Sequence, residues 1–169
     1  ILYKDVAKDI ALINSDSSLR FYIKNEAREA EKQKKLILQK KTAMRNFIEL
    51  NGSDAKRTAV YINMVVANNG NAFDAILKSK DEQEAALMDF VNNYPDKFNK
   101  LFEDKHSITK SFIETLIARG ELIRTEFNQQ ISNADGTFIG SNINEAVAYF
   151  DNPDNKAVRD AYENKLKAL

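Results

Sequence analysis

Apolar residues recur at steps of three and four along most of the chain, broken by short runs of Asn, Ser, Asp, Gly and Pro. Leu2, Val6, Ile10 and Ile13 predict a short amphipathic helix over 1–13, and the polar run Asn14 to Ser18 ends it. Residues 18–50 hold no Gly or Pro and are rich in Lys, Glu, Gln, Ala and Leu. They predict one continuous helix of about 50 Å. That exceeds the roughly 40 Å diameter of a compact body of this length, so the helix is expected to project. Its seam reads Ile23, Ala27, Ala30, Lys34, Ile37, Lys41, Met44, Ile48, with the alternating steps of a heptad repeat. The two Lys and two Ala make the middle a poor coiled coil by itself. The ends, Leu19 to Ile23 and Met44 to Leu50, are apolar enough to be anchored.

Asn51-Gly52 stops this helix and Ser53-Asp54 caps the next, over 54–68. Shorter helices are predicted over 72–79, 81–92, 95–104 with Pro95 in its first turn, and 108–119 with Ser107 as cap and Gly120 as stop. Over 121–131 the period changes: Leu122, Arg124 and Glu126 alternate with Ile123, Thr125 and Phe127, which predicts a strand. Asn133 to Gly136 reads as a turn and Thr137 to Ile139 as the returning strand. Asn142 with Glu145 forms a capping pair for helix 143–150, and Asn152-Pro153 opens a last helix to about Lys167. The expected fold is all-α with one small β-hairpin: a helical core, one long basic helix and a C-terminal helix-hairpin-helix module. Residues 1–80 are expected to form a helical region and 81–169 the module.

Composition removes several function classes. With no cysteine among 169 residues there is no disulfide, thiolate nucleophile or Cys-ligated metal. No apolar run is long enough to span a bilayer, and no secretory signal is recognisable, so no membrane partner is expected. The expected location is cytoplasmic or within a virion. The first residue is Ile1 rather than Met, which fits either proteolytic processing or a piece of a longer product. No Gly-rich phosphate loop and no HExxH are present. Asn133, Asp135 and Gly136 echo a calcium loop, but Ile131 and Asn142 would then take ligand positions that need acids, so the site is rejected. His106, the single histidine, reads as a polar turn residue. No catalytic, cofactor or metal residues are assigned, and an enzyme is not expected.

The 25 basic and 25 acidic groups cancel in total but not locally. Residues 17–60 carry 11 basic and 5 acidic groups, a net of +6, whereas residues 81–140 carry 6 and 11, a net of −5. Arg20, Lys24, Arg28, Lys32, Lys34, Lys35, Lys40 and Lys41 are therefore candidate contacts for nucleic acid or for an acidic partner. Between Tyr22 and Phe47 no aromatic residue interleaves them, so base stacking is not offered.

Three short helices followed by a hairpin is the order of a winged helix-turn-helix. Ser107 to Ile139, with the corner Leu116-Ile117-Ala118-Arg119-Gly120-Glu121-Leu122-Ile123-Arg124, resembles the recognition helix and wing of winged-helix domains. The resemblance implies that exposed positions of the third helix, Thr109, Lys110, Glu114, Thr115 and Arg119, face a DNA groove. The sequence departs from a DNA reader in its net charge of −5 and in a wing tip, Asn133 to Gly136, without Lys or Arg. The segments SSLRFYIKNEAREAEKQKK and FIGSNINEAVAYFDNPDNKAVRDAYENKL resemble small proteins of tailed bacteriophages. That resemblance implies a virion or assembly component. The expected function is a non-enzymatic structural or interaction protein that docks into a larger protein complex, homo-oligomeric assembly included. The alternative is a DNA-binding regulator or packaging factor using the winged-helix-like module.

Overall fold

The structure is a computed structural model that describes residues 6–7, 21–22 and 26–168. Among these, eight α-helices make the fold predominantly helical, with a small three-stranded antiparallel sheet and a two-residue parallel strand pair as its β elements. The chain divides into two compact units, Ile1–Leu38 and Gln39–Leu169. The division falls inside a helix, and helices on both sides of residue 80 share one hydrophobic core.

In the first unit, β1 (Val6–Ala7) pairs in parallel with β2 (Phe21–Tyr22). The helix predicted over 1–13 is therefore a strand at Val6–Ala7, and the rest of that prediction lies outside the described residues. The long helix does not begin at 18, because Phe21 and Tyr22 pair with β1; α1 is Glu26–Leu50. At 25 residues it is about 38 Å long. Every residue from Ala27 to Leu38 is exposed.

The second unit holds the C-terminal half of α1 together with α2 (Asp54–Ala67), α3 (Ala72–Ile76), α4 (Lys80–Asn93) and α5 (Pro95–Glu103). α6 is Ser107–Ala118, and the sheet strands are β3 (Leu122–Arg124), β4 (Ile131–Asn133) and β5 (Phe138–Gly140). α7 (Ile143–Asp151) and α8 (Lys156–Ala168) close the chain, separated by a 3-10 turn at Pro153–Asn155. Local chemistry sets these limits. Ser53 accepts a hydrogen bond from the Lys56 N–H, and Ser79 and Glu82 form a reciprocal capping box at α4. Asn142 accepts from the N–H groups of Asn144 and Glu145. Pro95 starts α5, and Gly120, at φ +77°, turns the chain out of α6. Ser107 is not the cap of α6: His106 holds that position, and the Ser107 hydroxyl instead accepts from Asn63 of α2.

The packing face of α1 differs from the heptad seam. Ala43, Asn46, Phe47 and Leu50 are buried, whereas Ile37, Lys41, Met44 and Ile48 are exposed. Both stripes satisfy steps of three and four; the one with Phe47 and Leu50 buries the bulkier apolar groups. The Asn46 amide is satisfied in the core by donating to Asn99 Oδ1 at 3.0 Å, and Asn99 in turn donates to the Gln39 carbonyl at 3.2 Å.

Two cores fill the second unit. One gathers Phe47, Leu50, Val60, Leu87 and Phe98 from α1, α2, α4 and α5. The other gathers Ile113, Leu116, Leu122, Ile131, Val147 and Phe150 from α6, α7 and the sheet. α2 packs along α6 and so joins the two. The strand predicted over 121–131 is two strands, β3 and β4, because the chain folds back between them. The Thr125 N–H donates to the Gln130 carbonyl at 2.9 Å and Gln129 adopts φ +57°. The Asn133–Gly136 turn then leads to β5.

Candidate functional site

The basic candidates lie on α1 or just before it. Arg20 and Lys24 are outside the described residues. Arg28, Lys32, Lys34, Lys35, Lys40 and Lys41 are all exposed. Lys32 pairs with Glu29 at 3.1 Å, one helical turn away, a surface pair of small energetic weight. From Ala27 to Arg45 the helix carries seven basic and two acidic residues, a net of +5. Apolar side chains stand among them: Leu36, Ile37, Leu38, Met44 and Ile48 are all exposed. Leu38 lies one turn beyond Lys34 and Lys35 on the helix surface.

The expected recognition-helix face is spent inside the fold. Thr109 and Glu114 are buried, Lys110 and Thr115 are half-buried, and only Arg119 is exposed. Each has a partner in the same chain. Thr109 Oγ1 donates to Asp151 Oδ1 at 2.7 Å, and Lys110 Nζ to Asp104 Oδ2 at 2.6 Å. Glu114 accepts both guanidinium arms of Arg124, at 2.5 and 3.2 Å. Thr115 Oγ1 bonds the Ser111 carbonyl, and Arg119 sits over the Phe73 ring. The expectation that these five positions are exposed on one face is corrected: α6 is the central helix of its unit, packed by α2, α7 and β3.

His106 belongs to a polar network centred on Asp151. Its Nδ1 lies 3.1 Å from Asp151 Oδ2, while Arg159 Nη1 donates to Asp151 Oδ1 at 3.0 Å and Arg159 Nε to Glu163 at 3.1 Å. Burial pushes the Asp151 carboxyl up. The bonds from Thr109, His106 and Arg159 outweigh that, and it is held below the usual carboxylate range. Asp104 behaves alike: burial raises it, and Lys110 with the His106 N–H brings it down. These groups satisfy one another and tie α6, α7 and α8 together; His106 and Thr109 lie over 40 residues from Asp151, so no local pattern announces the network.

Comparison with protein-family models, curated proteins and solved structures gives no match.

Among the described residues no group of three His, Asp or Glu side chains is placed to hold a metal, and no helix is long and apolar enough to cross a membrane. A groove of about 360 Å³ runs between α2 and α4, with walls of Met64, Val65, Phe90 and Tyr94 and a rim of Asn68 and Asp89.

A surface not anticipated from the sequence lies on the C-terminal sheet. Ile123 is opposite Ser132, and Ser132 is opposite Phe138. Directly paired residues share a face, so these three form one row across the outer side. Ile123 and Phe138 are about half exposed. Phe127, at the tip of the β3–β4 turn, is 99% exposed. That turn is internally braced: Gln129 N–H donates to the Thr125 carbonyl, and Gln130 N–H to Asn128 Oδ1. Phe127 is thus an aromatic group held in water on an ordered turn. In the sequence it sits in the alternation of a predicted strand, which hides it.

Proposed function

We propose that this chain is a non-enzymatic interaction protein that docks into a larger assembly through α1, of the kind the resemblance to tailed-phage virion and assembly proteins implies. The observation that carries this reading is the exposed length of α1. Twelve successive residues, Ala27 to Leu38, are exposed, and they include three large apolar side chains among the basic ones. Water-facing clusters of this kind cost hydrophobic free energy and mark interaction surfaces. A photo-crosslinking amino acid at Ile37, introduced into the protein in its native extract, tests the reading. Adducts to a discrete protein are expected, and adducts confined to nucleic acid would overturn it.

A second reading, DNA contact, is favoured by the +5 charge over residues 27–45. In the alternative as read from the sequence, the winged-helix-like module does the reading, and the burial of Thr109 and Glu114 counts against that form. Contact by α1 would be a phosphate interaction without base reading. It predicts binding to labelled duplex DNA that weakens with a log–log salt slope of about −0.9 per phosphate neutralised.

A further inference from the structure

The two exposed apolar surfaces on this chain carry opposite charge. Around α1 the environment is basic. The two turns of the sheet each carry an acid, Glu126 and Asp135, and the one base in its strands, Arg124, is bound to Glu114 of α6. Glu126 adjoins Phe127 in the turn, and Asp135 lies in the turn that leads to Phe138. Each surface is what the other lacks. One is a convex helix with Leu36, Ile37 and Leu38 flanked by Lys34 and Lys35. The other is a short apolar sheet face with a projecting aromatic and acidic turns.

From this complementarity we propose that α1 of one copy of this chain docks on the outer face of the β3–β4–β5 sheet of a second copy. This rests on reading the chain as an assembly protein, and it names the partner as a second copy of the same chain. Phe127 is the anchor: a single aromatic held in position loses little side-chain freedom on burial, and such residues dominate binding energy. The charges set orientation and encounter rate more than affinity. The interface is heterologous, helix to sheet. Each bound pair therefore still offers one free helix and one free sheet face, and association continues until a ring closes or a filament grows.

The same charge arrangement weighs against two other occupants of the sheet face. Anionic headgroups and nucleic acid would both meet the Glu126 and Asp135 carboxylates in the turns of the sheet.

The test is light scattering with sedimentation velocity on the full chain across about 1 µM to 1 mM, the range of a weak to moderate protein interface. Mass should rise with concentration and fall with added salt. Phe127→Ser, at a position that supports no core, should weaken association about tenfold or more while leaving the melting temperature unchanged. Two further variants decide the geometry. Lys34→Glu/Lys35→Glu takes residues 27–38 from a net of +2 to −2, and Glu126→Lys/Asp135→Lys makes the two sheet turns basic. Each alone is expected to be monomeric, because its helix and its sheet no longer differ in sign. Mixed, they should associate again, with the acidic helix of one on the basic turns of the other and the basic helix of the second on the acidic turns of the first. A wild-type monomer throughout the range overturns the proposal. So does an oligomer that survives Phe127→Ser and the sheet variant but not the helix variant, since that is helix-to-helix pairing. If the chain is monomeric while the Ile37 crosslinker still captures another protein, the second copy fails as the partner and the assembly reading stands.

Discussion

Replacing Arg124 by methionine isolates the ion pair that fixes α6 to β3. The Glu114 side chain is 7% exposed and Arg124 23%, and the two meet through two hydrogen bonds of 2.5 and 3.2 Å. Methionine keeps the length and much of the apolar stem but leaves the Glu114 carboxylate in the core without its partner. Breaking a buried pair from one side costs about 3–5 kcal/mol, and water access along the Arg124 edge places this case near the lower end, about 3 kcal/mol. Unfolding entropy of about 2.1 cal/mol/K per residue over the roughly 130 residues of the Gln39–Leu169 unit converts that to a fall in melting temperature of about 11 °C. The double replacement Glu114→Leu/Arg124→Met removes both charges and should recover to within about 1 kcal/mol of the parent. Calorimetry on the parent, the single and the double variant, with urea unfolding to check that the slope is constant, gives the answer. A single variant that loses under about 1 kcal/mol, or a double variant no better than the single, would refute the view that Glu114 is a structural group desolvated by the fold.

Three further outcomes follow from local geometry. A Cβ at Gly140 would sit 2.6 Å from the Ala146 backbone nitrogen and 3.0 Å from Glu145; Gly140→Ala should therefore destabilise by about 1–3 kcal/mol as β5 is pushed off α7, read as a lower urea midpoint. Asp151→Asn removes the charge that Thr109, His106 and Arg159 share, for a loss of about 2 kcal/mol at neutral pH. Because the folded carboxyl is held low, this contribution is full above its ordinary value of 3.8 and is lost as pH falls below it, so the acid limb of stability should be shallower in the variant. Glu82 is held at about 2 by the Lys78 ammonium and by the Ser79 N–H and hydroxyl, against an ordinary 4.5. Its depressed value favours the folded state above about 4.5 and the benefit disappears towards about 2; the melting temperatures of Glu82→Gln and the parent should converge across that interval, and parallel curves would contradict the capping geometry.

Much of the second unit was legible because helix ends are written in short-range chemistry. Ser53, Pro95, Gly120, Asn142 and Asn152-Pro153 mark boundaries that the structure keeps to within a few residues. What failed to show was anything decided by a distant partner. Asn46 looks like a solvent residue until Asn99 satisfies its amide on the face that Phe47 and Leu50 bury, while the heptad seam faces water. Thr109 and Glu114 read as an exposed polar face until Asp151 and Arg124 claim them. The turn between β3 and β4 carries no Gly or Pro, and it places Gln129 at positive φ. Alternation runs into the turn as far as Phe127, which is thereby concealed as a strand residue. The outer sheet surface, which the proposed self-association uses, was missed for that reason.

Salt dependence alone does not separate the two functional readings, because both use the same basic helix. Lysines on α1 that meet phosphates lose affinity with salt by counterion release. Lysines that meet Glu126 and Asp135 of another copy lose it by screening. The discriminating residue lies away from α1. A phosphate contact made by Lys34 and Lys35 is indifferent to an aromatic side chain on the C-terminal sheet, whereas docking of α1 on that sheet depends on it. The effect of Phe127→Ser on whatever α1 binds therefore carries more information than the effect of any lysine substitution. A loss of binding with Phe127→Ser at constant salt means that the partner of α1 includes the sheet of this same chain.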